Sequence, residues 1–281
     1  MRLRGIRRSK NVEVRRGGRG GGAGRAGGLG IVGVLAVLAI GYFTGIDVSP
    51  LLNGGGAPQT QQGAPVSDSD AQATQFTAQV LATTEDVWGE IFPQQLGREY
   101  VPPKLVVFSN VTQSACGGAS GATGPFYCPA DEKAYIDTQF FDLLAQRMGA
   151  GGDFAAAYVI AHEVAHHVQN ELGILPKVDA LRRQSSTAEA NALTVRLELM
   201  ADCFSGIWAS NVEGLMEKGD LQEALNAARM IGDDHLQRQA GQVPQPHTFT
   251  HGTSEQRARW FERGFESGEI AACDTFEADR L

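Results

Sequence analysis

The stretch that decides the fold of this chain is residues 153–173, DFAAAYVIAHEVAHHVQNELG. Two glycines, Gly151 and Gly152, interrupt the element before it, and Asp153 is a good residue to cap the start of a helix. Gly173 suits the position just past the end of a helix. The residues between are mostly alanine, valine and other apolar types, so the stretch predicts one well-delimited and buried helix.

Three polar residues inside this helix carry its chemistry: His162, Glu163 and His166. Histidines four residues apart leave the same face of a helix, where both rings can reach a single ion. H-E-x-x-H on a helix is typical of zinc metallopeptidases, with two histidine ligands and a glutamate that accepts a proton from water. The alternative is a pair of core histidines bonded to carbonyl groups. His167 lies off the ligand face, and we interpret it as a packing or supporting residue.

A second helical run, residues 188–210, supplies two acids one turn apart, Glu198 and Asp202. Glu198 would complete a zinc site of two histidines and one glutamate, which leaves one position for water. Asp202 is placed to accept the other ring N–H of a ligand histidine, His162 being favoured. The alternative is a helix with two solvated acids, but the H-E-x-x-H motif upstream favours the metal site.

Four runs of the sequence together resemble the bacterial family of neutral zinc metallopeptidases, which are membrane-anchored proteins of the zincin type. The runs are GPFYCPADEKAYID (124–137), AYVIAHEVAHHVQN (157–170), RLELMADCFSGIWA (196–209) and THGTSEQRARWFERG (250–264). The resemblance extends over most of the chain from about residue 71 onward. The resemblance implies a zinc-dependent peptidase with the ligands and the catalytic glutamate that the motifs indicate. Ala165 departs from the glycine commoner in the family, and alanine suits a helix equally well.

The sequence of residues 1–70, the first quarter of the chain, predicts a membrane anchor. Residues 1–28 hold nine lysines and arginines, one glutamate and many glycines, so we expect a disordered tail. Residues 29–46 are apolar and uncharged, long enough for one transmembrane helix. Basic flanks stay on the cytoplasmic side, which places the tail inside and the later domain outside the cell membrane. Residues 47–70, rich in Gly, Pro, Gln and Ser, predict a flexible linker. A cleaved signal peptide is the alternative.

The charge of the remaining chain excludes one class of partner. From residue 29 onward there are 31 acidic and 15 basic residues, a net charge of about −16 with neutral histidines. Such a domain repels nucleic acid and anionic lipid, so we expect no nucleic-acid partner. Residues 71–281 are enough for one hydrophobic core, and we expect a single domain there. The sequence indicates no oligomeric state.

The four cysteines, Cys116, Cys128, Cys203 and Cys273, all follow the apolar run, in the compartment where disulfides persist. No two of them form a C-x-x-C pair, which argues against a thiolate zinc site. Three pairings are possible. We favour Cys116 with Cys128, which closes a short glycine-rich loop, and Cys203 with Cys273, which ties the C-terminal segment to the helix of Glu198.

The predicted elements of the domain give its fold class. They are a helix at 72–91, strands at 104–108, about 125–128 and 133–137, and helices at 138–148, 153–172, 188–210, 221–240 and 255–268. This order predicts an α+β domain, mostly helical, with a small sheet packed on the H-E-x-x-H helix and one transmembrane helix before it. The resemblance implies that the domain is zincin-like. The strand at 133–137 is either an exposed edge to which a peptide substrate adds or an inner strand.

His251 is a candidate for a second catalytic role. It stands just before the last helix, whose start is marked by the capping box Thr253 to Gln256. A histidine fixed beside a metal site can donate a hydrogen bond to the oxyanion that develops during hydrolysis. The alternative is a histidine that caps or packs the turn. Tyr135 is a weaker candidate for the same role, and we expect Arg257 to form a structural ion pair.

Taken together, the motifs predict zinc-dependent hydrolysis of a peptide or protein substrate in the cell envelope, by a protein anchored through one helix. Zn²⁺ is the expected cofactor. The same site and location would also permit a zinc amidase that acts on cell-wall peptides. A second alternative is a metal-holding module without catalytic activity that binds envelope partners.

Overall fold

The computed structural model describes residues 1–15, 68–120, 124–146 and 151–281. The described strands are β1 (Val12–Arg15), β2 (Lys104–Phe108), β3 (Val111–Ser114), β4 (Gly117–Ser120), β5 (Phe126–Cys128) and β6 (Lys133–Asp137). The described α-helices are α1 (Asp68–Ile91), α2 (Gln139–Gln146), α3 (Asp153–Glu171), α4 (Ile174–Arg182), α5 (Thr187–Asn211), α6 (Asp220–Met230), α7 (Asp233–Gln239) and α8 (Ser254–Ser267). The fold is therefore α+β and mostly helical, as predicted.

The main sheet has the strand order β1-β2-β6-β5. The first three strands run parallel, and β5 runs antiparallel to β6. Side chains of β2 alternate between its two faces, so Leu105 and Val107 join the main core while Val106 and Phe108 join a smaller apolar cluster. The strands β3 and β4 form a separate hairpin. Because β6 is paired on both sides, residues 133–137 are an inner strand, which decides between the two alternatives that the sequence left open.

The first fifteen residues are folded onto the domain, so the disorder predicted for residues 1–28 is wrong for this part. β1 pairs in parallel with β2 over four residues. The backbone N–H of Ser9 donates to the carbonyl of Ala78 at 2.9 Å. Arg7 is not a free charge, because it binds Glu85 at 2.7 Å and Asp86 at 2.6 Å. The segment is ordered because the acidic domain supplies its partners.

The predicted transmembrane helix at residues 29–46 lies outside the described residues, as does the predicted linker up to residue 67. The last three residues assigned to that linker are instead the first turn of α1. Within the described ranges, no helix combines the length and the apolar character needed to cross a bilayer.

α3 begins and ends at glycines. Its N-cap is Gly152 and not Asp153 as predicted. Gly152 has a φ of +131°, and a Cβ there would lie 2.1 Å from Oε2 of Glu223. That carboxylate accepts the N–H of Phe154 at 3.1 Å, which satisfies one of the free donors at the helix start. At the other end Gly173 has a φ of +70°, in agreement with its predicted position past the helix.

The core lies where α1, α3 and α5 meet. Every residue of α3 from 154 to 165 is buried. The ring of Phe154 stacks on Trp208 of α5 with 5.6 Å between the ring centroids. The indole N–H of Trp208 donates to Oγ1 of Thr83 on α1 at 3.0 Å. These contacts join α3 to α5, and α5 to α1.

The structure differs from the predicted elements near the C-terminal helices and agrees with the predicted cap and disulfides. The helix predicted at 221–240 is two helices, α6 and α7, which are separated near Gly232. A Cβ on Gly232 would lie 2.4 Å from the backbone nitrogen of Ser254, so the chain needs glycine where these segments touch. The capping box of α8 is confirmed, with Gln256 accepting from the backbone N–H of Thr253 at 2.8 Å. Both favoured disulfides are confirmed. The strand β1, the hairpin and α4 were not predicted.

α5 and α8 cross at two glycines. A Cβ on Gly264 would lie 1.8 Å from the carbonyl oxygen of Cys203, and one on Gly206 would lie 2.0 Å from that of Phe261. No side chain of any size fits between backbones at this distance. The close crossing lets the side chain of Arg257 on α8 reach the acids of α5.

We expect the substitution Gly264→Ala to destabilise the protein by roughly 3 kcal/mol or more, because the added methyl group overlaps the backbone of α5. The measurement is urea unfolding followed by circular dichroism. The matched control is Gly89→Ala in α1, where the added Cβ meets no atom within 4 Å. That control should leave stability unchanged or raise it by up to about 1 kcal/mol. Equal stability of the two variants would show that the crossing is looser than described.

Candidate metal centre

α3 and α5 bring three predicted ligands together: His162, His166 and Glu198. Their ligand atoms all lie within 4.8 Å of one another. Nε2 of His162 is 3.1 Å from Oε2 of Glu198, and Nε2 of His166 is 3.5 Å from Oε1 of the same carboxylate. The two histidines are one turn apart on α3, as the sequence spacing requires.

The tautomer of His166 follows from Gln169, which is fully buried one turn later in α3. The side-chain NH₂ of Gln169 donates to the carbonyl of Leu197 at 2.6 Å. Its amide oxygen therefore faces Nδ1 of His166, 3.0 Å away, and must accept a hydrogen bond from it. In the neutral ring this leaves Nε2 of His166 as a lone pair directed at Glu198.

His162 reaches the same state through Asp202. Its Nδ1 lies 3.0 Å from Oδ1 of Asp202, a carboxylate oxygen that can only accept. The contact between these two atoms is electrostatic. It still favours the proton on Nδ1, and Nε2 of His162 is then a second lone pair that faces Glu198.

Three acceptors thus converge on one point: two imidazole lone pairs and a carboxylate. Such an arrangement is repulsive unless a positive charge lies among the acceptors, either a bound cation or a proton on His162. Burial lowers the pKa of His162, but its hydrogen bonds with Asp202 and Glu198 outweigh burial and raise it to about 9. The donor set of two nitrogens and one carboxylate oxygen is that of zinc sites with an open fourth position. Ligands about 2.0–2.1 Å from a tetrahedral ion would be roughly 3.3 Å apart, close to the two distances above. The residues present therefore fit zinc.

Asp202 is itself held by two groups from other helices. Both of its oxygens accept from Arg257, Oδ2 from Nε and Oδ1 from a terminal nitrogen, each at 2.9 Å. The hydroxyl of Tyr158 donates to Oδ1 at 2.5 Å. All three side chains are buried. The ion pair expected for Arg257 is therefore present, and it fixes the carboxylate that orients His162.

Glu163 and Glu198 are two buried acids with opposite shifts. Burial raises the pKa of Glu163 to about 7, and the charge of His162 offsets this only in part. Burial also disfavours the charged form of Glu198, but the electrostatic influence of His166 and the hydrogen bond with His162 outweigh it and hold the pKa of Glu198 well below its usual value. The environment therefore separates the two acids, one as a fixed carboxylate and one as a group that can exchange a proton.

His251 lies beside this cluster, oriented by Asp233. Its Nδ1 is 3.2 Å from Oδ1 of Asp233, while Oδ2 accepts the backbone N–H of His251 at 2.6 Å. Burial lowers the pKa of His251, but the hydrogen bond with Asp233 and the charge of Glu198 outweigh burial and raise it. Asp233 also accepts the backbone N–H groups of Thr250 and Gly252, at 2.7 and 3.0 Å. The turn before α8 is thus built around one carboxylate.

Two other candidates face away from the ligands. Nε2 of His167 donates to the carbonyl of Val101 at 2.7 Å, and its Nδ1 accepts from the hydroxyl of Tyr127 at 3.0 Å. His167 therefore ties α3 to β5, the packing role predicted for it. The hydroxyl of Tyr135 donates to Asp131 at 2.6 Å, and its ring belongs to the smaller apolar cluster. Tyr135 is therefore not placed to act at the metal site.

Sequence reasoning missed three supporting residues: Gln169, Tyr158 and Asp233. Helical spacing could have found the first two, because Tyr158 lies four residues before His162 and Gln169 three residues after His166. Asp233 comes 18 residues before its partner His251, and no local pattern joins them.

This chain matches one known family and several curated proteins. The model of the family described as "Putative neutral zinc metallopeptidase" matches residues 1–276, a range that includes the folded N-terminal segment. "Uncharacterized protein YpfJ" of Escherichia coli (strain K12) is 48% identical over 285 residues, with 98% of this chain and 99% of that protein covered. "Uncharacterized protein Rv2575" of Mycobacterium tuberculosis (strain ATCC 25618 / H37Rv) is 41% identical over 229 residues, covering 75% and 74%. No solved structure gives a significant match.

We expect the purified full-length chain to hold about one zinc ion, and expect the variants His162→Ala, His166→Ala and Glu198→Ala to lose it, because each removes one of three ligands. The measurement is metal content by mass spectrometry after dialysis. The matched control is His247→Ala, an exposed histidine that should change nothing. Full zinc occupancy in Glu198→Ala would remove Glu198 from the ligand set.

Proposed function

Because this chain belongs to the neutral zinc metallopeptidase family, we propose that it hydrolyses peptide bonds at the cluster of His162, Glu163, His166 and Glu198. The observation that supports this most directly is the convergence of three acceptors beside a buried glutamate. The order of small sheet, H-E-x-x-H helix and glutamate-bearing helix also suits a zincin-like arrangement. Peptides or proteins are the proposed substrate class.

Zinc held by the two histidines and Glu198 would polarise the substrate carbonyl and lower the pKa of a water molecule. Glu163 follows His162 directly, so its side chain leaves α3 about 100° away and lies beside the ligands without being one of them. From there it takes a proton from the attacking water and delivers it to the leaving nitrogen of the peptide. Its burial keeps the proton from exchanging freely with bulk solvent.

His251 supplies the second catalytic group in this proposal. Asp233 holds the ring through Nδ1, and we propose that the ring contacts the substrate through Nε2. Burial acts to raise the pKa of both Glu163 and Glu198, and the charge of His251 opposes that effect in each, which supports a position of its ring near the two acids. A donor held there stabilises the oxyanion that develops on the peptide carbonyl. Asp233 is a positioning residue, since it acts through His251.

We place the protein in the cell envelope. The two disulfides support this location, because such bonds persist in oxidising compartments. Attachment to the membrane through residues 29–46 stays a prediction from the sequence. The large negative charge of the domain favours partners that are neither nucleic acid nor anionic lipid.

We expect Glu163→Gln to keep its zinc and its melting temperature but to lose hydrolysis by about 100-fold or more, because glutamine has the size of glutamate but accepts no proton. The measurement is cleavage of a denatured-protein substrate and a peptide library by wild type and variant, with zinc determined on the same samples. Equal activity would sink the peptidase proposal. If neither protein cleaves peptides, release of cell-wall fragments would favour an amidase, and no turnover at all would favour a binding module.

We expect His251→Ala to lower kcat by about 100-fold while zinc content and KM change little, because the missing donor acts in the transition state. Steady-state kinetics on the best peptide from the library would measure both constants. The variant His247→Ala serves as the control for loss of a surface imidazole. A rise in KM at constant kcat would instead assign His251 to substrate binding, and loss of zinc would assign it to the architecture of the site.

A further inference from the structure

We infer that residues 1–15 and residues 68–281 form one folded unit and lie on the same side of any membrane that the chain enters. The sequence alone predicts that the two parts lie on opposite sides, with a cytoplasmic tail and an outer domain. A β-strand cannot pair with a partner strand across a hydrocarbon layer of about 30 Å. The pairing of β1 with β2 is therefore incompatible with a single crossing between them.

The backbone of the N-terminal segment is bound to the domain at several points. The N–H of Leu105 in β2 donates to the carbonyl of Asn11 at 2.8 Å, directly before the paired residues of β1. The side-chain amide of Gln79 in α1 donates to the carbonyls of Leu3 and Ile6, at 2.8 and 3.1 Å. Gln79 is buried, and the N-terminal segment supplies both carbonyl groups to which its side-chain amide donates. These contacts extend over almost the whole segment.

Glu85 of α1 shows most clearly that the domain is built to receive this segment. Its carboxylate accepts from Arg7 at 2.7 Å, from the hydroxyl of Ser9 at 2.5 Å and from the side-chain amide of Asn11 at 2.7 Å. All three donors belong to the N-terminal segment, and the Glu85 side chain is only 9% exposed. A nearly buried carboxylate needs such donors, because an unpaired charge at that depth is costly.

The side chains of Glu13 and Arg15 in β1 bind to β6 and to the hairpin. Glu13 lies 3.1 Å from the ammonium of Lys133 on β6. Arg15 donates to the hydroxyl of Thr112 at 3.1 Å and to the carbonyl of Gln113 at 2.6 Å, both on the hairpin. The segment therefore joins α1, β2, β6 and the hairpin, and it is a part of the fold.

The inference changes what the basic residues mean for topology. Six of the nine N-terminal lysines and arginines fall within the folded segment: Arg2, Arg4, Arg7, Arg8, Lys10 and Arg15. Only three remain between this segment and the apolar run, so the charge bias that argued for a cytoplasmic tail is weaker than the composition suggests.

The test is labelling of two single-site variants of the full-length chain, Lys10→Cys and Val243→Cys, with a membrane-impermeant maleimide. Both positions are exposed, Val243 at 82%. We expect the two variants to label to the same extent on intact spheroplasts and again after lysis. Labelling of Val243→Cys on intact spheroplasts with labelling of Lys10→Cys only after lysis would overturn the inference. Labelling of both only after lysis would support it and would contradict the proposed envelope location.

A second measurement keeps the inference testable if the thiol at position 10 reacts poorly. Arg7→Glu and Glu85→Arg should each lower the urea midpoint of the full-length chain, and the double variant should recover part of the loss, because the pair is restored in reverse. Arg4→Glu, at an exposed position, is the control and should leave the midpoint unchanged. Additive losses in the double variant, with no recovery, would show that the segment does not contact α1.

Discussion

The architecture depends on one buried carboxylate, Asp202, and on the positive group that compensates it. Asp202 is completely buried, and a lone charge at such a depth costs several kcal/mol. Arg257 offsets this cost with two hydrogen bonds of 2.9 Å. Because Asp202 comes from α5, Arg257 from α8 and His162 from α3, this single interaction fixes three helices relative to one another. The glycines at the crossing of α5 and α8 are what allow the arginine to reach it.

The same constraint prepares the metal centre. Asp202 and Gln169 each face the Nδ1 side of one histidine, so both rings present their Nε2 lone pairs to Glu198. The fold therefore holds three mutually repelling acceptors close together, an arrangement that a cation relieves. Stability and metal affinity are linked for this reason. Hydrophobic packing around α3 supplies the free energy that holds the acceptors in place.

Several ion pairs of the described residues join segments that are far apart in the chain. Taken by composition, the N-terminal segment is a basic tail and the rest is an acidic domain. In the structure the two are complementary, with Arg7 on Glu85 and Asp86 and with Glu13 near Lys133. Neutralisation by a distant part of the chain, together with the pairing of β1 and β2, orders a segment whose own composition predicts disorder. The net charge of a segment therefore does not by itself show whether that segment is ordered.

The sequence by itself determined the features that repeat within one element: the ligand spacing on α3, the acids Glu198 and Asp202 one turn apart, the strands β2 and β6 and the capping box of α8. These follow from helical and strand periodicity and from turn chemistry, which are local. Only the tertiary structure decided which side chain supports which ligand, that Asp233 orients His251, and that β1 completes the sheet. Such contacts join residues far apart in the chain, and their formation depends on how helices pack and where backbones approach, which no local pattern encodes.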